Sequence, residues 1–159
     1  MAAKKKGKTP DAKTPVCVNR RARYEYEILD TVEAGLVLKG SEVKSLREGR
    51  ANLVDAYVKL REDEATLLGM EIQPYSHDAT GGVPSRRPRR LLMHRVEIRK
   101  LLGKTREAGL TCVPLKIYFA GPWAKVELGV VRGRRSHDKR QVLRQREAER
   151  EMDRSRRRR

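Results

Sequence analysis

The chain has 159 residues, with 38 Lys and Arg against 21 Asp and Glu and a formal net charge of +17. That length suits one domain with tails, and the charge points to a polyanionic partner, nucleic acid before an anionic membrane surface. No run has the length and apolarity of a membrane span, the N-terminus shows no apolar leader, and the two cysteines, Cys17 and Cys112, predict reduced thiols in a cytoplasmic protein rather than a disulfide framework.

The charge is unevenly spread. Residues 1–18 hold 5 basic and 1 acidic side chain, residues 19–131 hold 20 and 15, and residues 132–159 hold 13 and 5. The middle is therefore a mixed-charge globule between two polycations. We assign 1–18 to a disordered basic segment, 19–131 to the folded domain and 132–159 to a basic tail.

In chain order, Arg20, Arg21 and Arg23 form a first basic cluster suited to phosphate contacts. Tyr24, Tyr26 and Ile28 alternate with Glu25 and Glu27, the pattern of a half-buried strand. Ala34-Gly35 predicts a break, and Leu36–Leu38 resumes a strand. Ser41 is the expected N-cap of a short helix that carries Val43 and Leu46 on one face and stops at Gly49. Residues 51–60 and 65–76 predict the two arms of a hairpin around a polar turn at 61–63. Residues 76–90 hold Gly81-Gly82, Pro84, Pro88, Arg86, Arg87, Arg89 and Arg90, which predicts a mobile basic loop whose arginines contact phosphate. Leu92, Val96, Leu101 and Leu102 suit a helix between 91 and 108, with His94 and Glu97 spaced as a cap pair. Val113, Leu115, Ile117 and Phe119 alternate, Ala120-Gly121-Pro122 turns, and Ala124, Val126, Leu128 and Val130 alternate again, which predicts a β-hairpin.

About six strands and two or three short helices predict a mainly β fold. A small closed antiparallel barrel of the OB-fold kind is the form that commonly binds nucleic acid. Beyond Asp138 the chain is rich in helix formers, with no Pro or Gly, yet offers little to bury. Glu147–Arg150 and Glu151–Arg154 support a helix only marginally. The tail is thus expected to be disordered when free and helical where an RNA wall neutralises it.

There is no Walker loop, no GxGxxG, no GxSxG and no Cys/His pair at metal-ligand spacing. The expectation is a protein with no enzymatic activity, no cofactor and no metal.

Several stretches together, NRRARYEYEI, EAGLVLKGSEVKSLREGRANLVDAYV, RRLLMHRVEIRKLLGK, GLTCVPLKIYF and AKVELGVVRGRRSHDKR, resemble the SmpB family from Asn19 to the C-terminus. The resemblance implies an OB-like barrel that binds the tRNA-like end of transfer-messenger RNA (tmRNA) and acts in bacterial ribosome rescue. It implies elongation factor Tu as an indirect partner, reached through charged tmRNA, and a stalled 70S ribosome whose empty mRNA channel takes the tail near the decoding centre. Carried over residue by residue, it places RNA contacts at Glu33, Leu92 and His94, with basic support near Lys44 and Arg47. Many members have Asn where this chain has His94. The GRRSHDKR match carries over the decoding-centre segment Gly133, Arg134, Arg135, His137, Asp138, Lys139 and Arg140. A monomer is expected. The other reading is a structural ribosomal or ribosome-assembly protein with basic tails.

Taken as residues alone, these positions leave alternatives. Glu33 is a solvated turn carboxylate or an acceptor for a base N–H or a 2′-OH. Leu92 is a core residue of the helix entry or an exposed one packed on an unstacked base. His94 is a helix cap or a group that stacks on RNA. Phe119 and Trp123, at the final hairpin, suit a stacking platform; Phe119 reads as core and the place of Trp123 stays open.

Overall fold

The computed structural model describes residues 14–78, 82–107 and 109–157. The Lys cluster at 4–8, Gly81 and the last two arginines lie outside them. In chain order the elements are β1 (Pro15–Val18), α1 (Ala22–Glu25), β2 (Tyr26–Leu36), α2 (Gly40–Arg47), β3 (Ala51–Asn52), β4 (Tyr57–Leu60), β5 (Ala65–Leu68), β6 (Glu71–Ile72), β7 (Arg89–Leu92), α3 (Arg95–Thr105), β8 (Leu110–Ala120), β9 (Trp123–Gly133) and α4 (Ser136–Arg157).

The fold is mainly β. Seven strands form one antiparallel sheet in the order β1-β8-β9-β2-β7-β5-β4, and β3 pairs with β6 separately. β4 also lies against β8, so the sheet curls back on itself. Among the described strands no ladder joins the end strands β1 and β4. β8 has both edges paired only over Lys116–Tyr118, by β9 and by β1, and β4 packs against it with no ladder between them.

The hairpin β8–β9 is the backbone of this sheet. Ala120 pairs with Trp123 across the two-residue loop Gly121-Pro122. Gly121 has φ +59, and the fixed negative φ of Pro122 excludes a second positive-φ residue, which leaves a type II′ turn. Within β8 the register shifts between Pro114 and Lys116. A bulge at this point explains why a Pro is tolerated in a central strand. It also swaps faces. Before it, Cys112 points into the main core; after it, Ile117 does, so the inward parity changes from even to odd. Val113 and Leu115 instead join Ala22 and Val131 in a second, smaller cluster. The simple alternation of the sequence therefore serves two cores rather than one.

Several boundaries differ from the sequence expectation, each for a local reason. β1 reaches into the segment assigned to the N-terminal tail, because Pro15–Val18 pairs with β8. Asn19 then closes this corner. Buried, it donates from Nδ2 to the carbonyls of Leu53 (3.2 Å) and Pro114 (3.0 Å) and accepts from the Ala22 N–H (3.1 Å). That last bond starts α1, so residues 22–25 are helical and the strand begins at Tyr26. β2 runs straight through Gly35 without a break. α2 starts two residues earlier than a Ser41 cap requires, at Gly40 with Lys39 as its N-cap: the Lys39 N–H donates to Glu42 Oε2 at 2.9 Å, the reciprocal half of a capping box. Arg89–Leu92, expected in a loop and a helix, form strand β7. α4 spans Ser136–Arg157 with its described side chains largely exposed.

Candidate RNA interface

Glu33, Leu92 and His94 come from two separate sequence regions, and the β2–β7 ladder brings them together. Gly35 pairs with Leu92, Glu33 lies two residues back on the same outward face, and His94 follows β7 as the N-cap of α3. Together with Gly35, Glu97 and Lys125 they line one open depression of ≈ 430 Å³. Leu92 is 54% exposed, which settles its place on the surface. The His94 N–H donates to Glu97 Oε2 at 3.2 Å, so the cap spacing read in the sequence is real and fixes the entry of α3.

Gly35 is the floor of this depression. A Cβ there would sit 3.1 Å from Leu92 Cβ, so the glycine that reads as a break in sequence instead permits close approach of two strands. Glu33 stands opposite Glu127 in the β2–β9 ladder, a like-charge pair that would be unfavourable alone. Lys125 relieves it diagonally, donating from Nζ to Glu33 Oε1 at 2.7 Å, and Lys116 pairs with Glu127 at 2.9 Å. Lys125 is a site residue that the sequence reading missed. The signal was its position two residues along the outward face from Trp123.

The predicted arginines divide sharply. Arg90 is exposed on the outward face of β7. Arg89, one residue earlier, is fully buried, so its expected phosphate contact is corrected. Strand parity turns it inward, where its guanidinium donates to Glu42 Oε1 (3.0 and 2.8 Å), to the Met70 carbonyl (2.8 Å) and to the Ser85 and Arg87 carbonyls. Arg87 closes the cluster, donating to both Glu42 oxygens at 2.9 and 2.6 Å. Burial acts to raise the Glu42 carboxyl, but the bonds from Arg87, the Lys39 N–H and Arg89 outweigh it and hold it below the usual value. Burial also draws the Arg89 guanidinium down against the pull of Glu42. This cluster ties the loop before β7 to α2 and sets where β7 begins.

Lys44 and Arg47 lie in the last turn of α2. Lys44 Nζ stands 5.4 Å from the Tyr75 ring centre and the Arg47 guanidinium 4.2 Å from that of Phe119. Phe119 is only partly buried at the edge of the main core. Arg20, Arg21 and Arg23 are exposed around α1, with Arg21 Nε donating to Glu25 at 2.7 Å. They are not gathered with Glu33. From Tyr26 to Glu33 is seven residues of β2, about 23 Å of strand.

The α1 end of β2 instead holds the root of the tail. The Arg134 N–H donates to the Glu25 carbonyl (2.9 Å) and its Nε to the Tyr26 carbonyl (3.1 Å). Gly133 ends β9, and Arg135 and Asp138 line a second hollow with Glu27 and Val142. Lys139 and Arg140 follow in α4, while the His137 side chain lies outside the described residues. Glu33, Leu92 and His94 thus lie toward one end of β2 and the root of the tail at the other, with Arg20, Arg21 and Arg23 at the tail end and Lys44 and Arg47 apart on α2.

Cys17 and Cys112 are free, and burial pushes the Cys112 thiol up to about 12. Among the described residues no three His, Cys, Asp or Glu side chains gather as metal ligands, and no helix is long and apolar enough to cross a membrane.

Comparison with known proteins bears on this arrangement. Residues 16–158 match the model of the SmpB protein family. The SsrA-binding protein of Salinispora tropica is 54% identical over 140 residues, 88% of each chain. That of Thermobifida fusca is 51% identical over 159 residues, 100% of this chain and 99% of the relative. That of Anaeromyxobacter dehalogenans strain 2CP-C is 53% identical over 156 residues, 98% and 96%. A solved structure of tmRNA–SmpB at the centre of the bacterial ribosome superposes with a TM-score of 0.67 at 47% identity, covering 82% of this chain and 96% of that one.

Proposed function

The chain belongs to the SmpB family, and on that premise we propose that it binds tmRNA and serves as its adaptor in trans-translation on stalled ribosomes. The observation that carries this reading is the convergence of Glu33, Leu92 and His94 on one depression floored by Gly35. An exposed Leu beside a carboxylate and an imidazole suits a splayed nucleotide: apolar packing on the base, and an acceptor for a base N–H or a 2′-OH. Arg90 and Lys125 supply positive charge beside it.

The curled sheet is read as the OB-like barrel of the family, packed shut along β4 and β8 rather than hydrogen-bonded shut. Gly133, Arg134, Arg135, His137, Asp138, Lys139 and Arg140 are read as the segment that meets the decoding centre, with α4 running on into the vacant mRNA channel. The exposure of α4 supports this, because a helix with so little to bury gains most from an RNA surface that neutralises its arginines. Delivery by elongation factor Tu, a monomeric state, a cytoplasmic setting and the absence of enzymatic activity complete the reading.

The two groups at opposite ends of β2 predict separable losses. Glu33→Ala or His94→Ala weakens binding to the tRNA-like domain about tenfold, the cost of one hydrogen bond involving a charged partner, and leaves the tail intact. Changing Asp138, Lys139 and Arg140 together to Ala leaves that affinity unchanged and abolishes peptide tagging in a translation assay on truncated messages. A triple variant that also lost RNA binding would contradict the two-site reading.

A further inference from the structure

The outward face of the sheet carries more than this depression. Alternation turns Ala34, Leu36, Leu91 and Val126 inward and Glu33, Gly35, Val37, Arg90 and Leu92 outward. The ladders set the outward residues in rows. One row is Lys125–Gly35–Leu92. The neighbouring row follows from the Val37 N–H bond to the Arg90 carbonyl (3.1 Å), the pairing of Arg90 with Thr66 and that of Thr66 with Lys59. Trp123, two residues before Lys125 on β9, stands on the same face at the head of this second row.

Three large apolar side chains are exposed on this face: Trp123 at 69%, Leu92 at 54% and Val37 at 41%. Leu92 pairs with Gly35, Val37 follows Gly35 by two residues, and Trp123 precedes Lys125, the β9 partner of Gly35, by two, so continuing the register sets all three about this position. Scattered apolar residues need no explanation on a surface, whereas a contiguous group does. The second row alternates them with cations and contains no carboxylate: Trp123, Val37, Arg90, Thr66, Lys59. With strands about 4.8 Å apart it extends about 19 Å. That composition suits an aromatic platform for a base with cations for phosphates, and the row is continuous with the depression through Gly35, Leu92 and Lys125.

We propose that this row is a second subsite of the RNA interface. The Trp123 indole stacks on an unstacked base of the bound RNA, next to the nucleotide over Gly35, and Arg90 and Lys59 take the phosphates that follow. The proposal rests on the RNA-adaptor reading and adds to it residues that stack rather than hydrogen-bond.

Trp123 is the single tryptophan of the chain, so its fluorescence reports this face alone. The test titrates the full chain with the tRNA-like domain and follows both emission and affinity for the wild type, Trp123→Ala, Trp123→Phe and Arg90→Ala across a salt series. The expected result is quenching with the same midpoint as binding. Trp123→Ala weakens binding about tenfold with the salt slope unchanged, since stacking releases no counterions, and Trp123→Phe restores most of it. Arg90→Ala lowers the slope by about one. Tight binding that needs Glu33 and His94 but leaves emission and the Trp123→Ala affinity unchanged overturns the subsite while the adaptor reading stands. Quenching by ribosomes but not by the RNA assigns the face to another partner and overturns it too. No RNA binding at all removes both readings.

Discussion

Glu42 shows how one residue sets the position of a site it never touches. It caps α2 through the Lys39 N–H and holds Arg87 and Arg89, and Arg89 opens the strand that ends at Leu92. Glu42→Gln keeps the shape but leaves two arginines, one of them fully buried, without a counter-charge. The expected loss is about 3–5 kcal/mol in urea unfolding. The pH dependence follows from the lowered carboxyl. A folded value below the unfolded one means that the stabilisation is fully present above the unfolded value, about 4.3, and is lost as pH falls through the folded value. The wild type therefore loses more stability than Glu42→Gln over that acid window. Equal slopes would remove the cluster from the account. At this scale the sequence was only half legible. Arg89 and Arg90 read alike as members of a basic run; which of them turns inward depends on strand parity, and their strand was not apparent amid Pro and Arg. His94, in contrast, was legible with its neighbour: Glu97 three residues on predicted the cap that is found.

The elements were legible where one local rule governs. The β8–β9 hairpin follows from alternation and Gly121-Pro122, and α2 from its apolar spacing. They were misjudged where a distant partner decides. Gly35 reads as a break because nothing in sequence shows Leu92 lying against it. β1 reads as tail because its partner, β8, is a hundred residues away. The Pro114 bulge hides a change of face within an apparently regular strand. The composition beyond Asp138 predicts a helix that forms only where an RNA wall supports it, and α4 spans Ser136–Arg157; its dependence on surroundings is testable. A peptide of residues 136–159 carries like-charged neighbours such as Arg146 and Arg150 and has little to bury, so its helix is marginal in water. Far-UV circular dichroism should show mostly coil in the isolated peptide, with helix gained on adding a polyanion. Full cooperative helicity of the peptide alone would contradict the role given to an RNA wall.

For the whole molecule, the charge is distributed by task. A mixed-charge body presents the depression of Glu33, Leu92 and His94 on its sheet, and most of the excess of basic residues lies in the segments before Asn19 and after Val131. The Arg134 bonds to the carbonyls of Glu25 and Tyr26 fix where the tail leaves the body, at the end of β2 away from Glu33. The mainly β class and nucleic-acid binding were legible from alternation and charge; the closed barrel is not found, since among the described strands no ladder joins the ends of the sheet. The site residues came from the family resemblance, because a carboxylate, a Leu and a His scattered over sixty residues have no pattern of their own until the β2–β7 ladder is known.

The central claim is that the sheet surface selects the RNA and the tail does not. The direct measurement is a binding titration at two salt concentrations, with the tRNA-like domain of tmRNA and an ordinary tRNA as ligands. It compares the full chain with one ending at Arg135, which keeps the Arg134 anchor. The account predicts tight, selective binding to the tRNA-like domain that survives removal of the tail and moderate salt. Equal affinity for both RNAs, collapsing with salt or with the tail, would mean that counterion release carries the binding, and would contradict it.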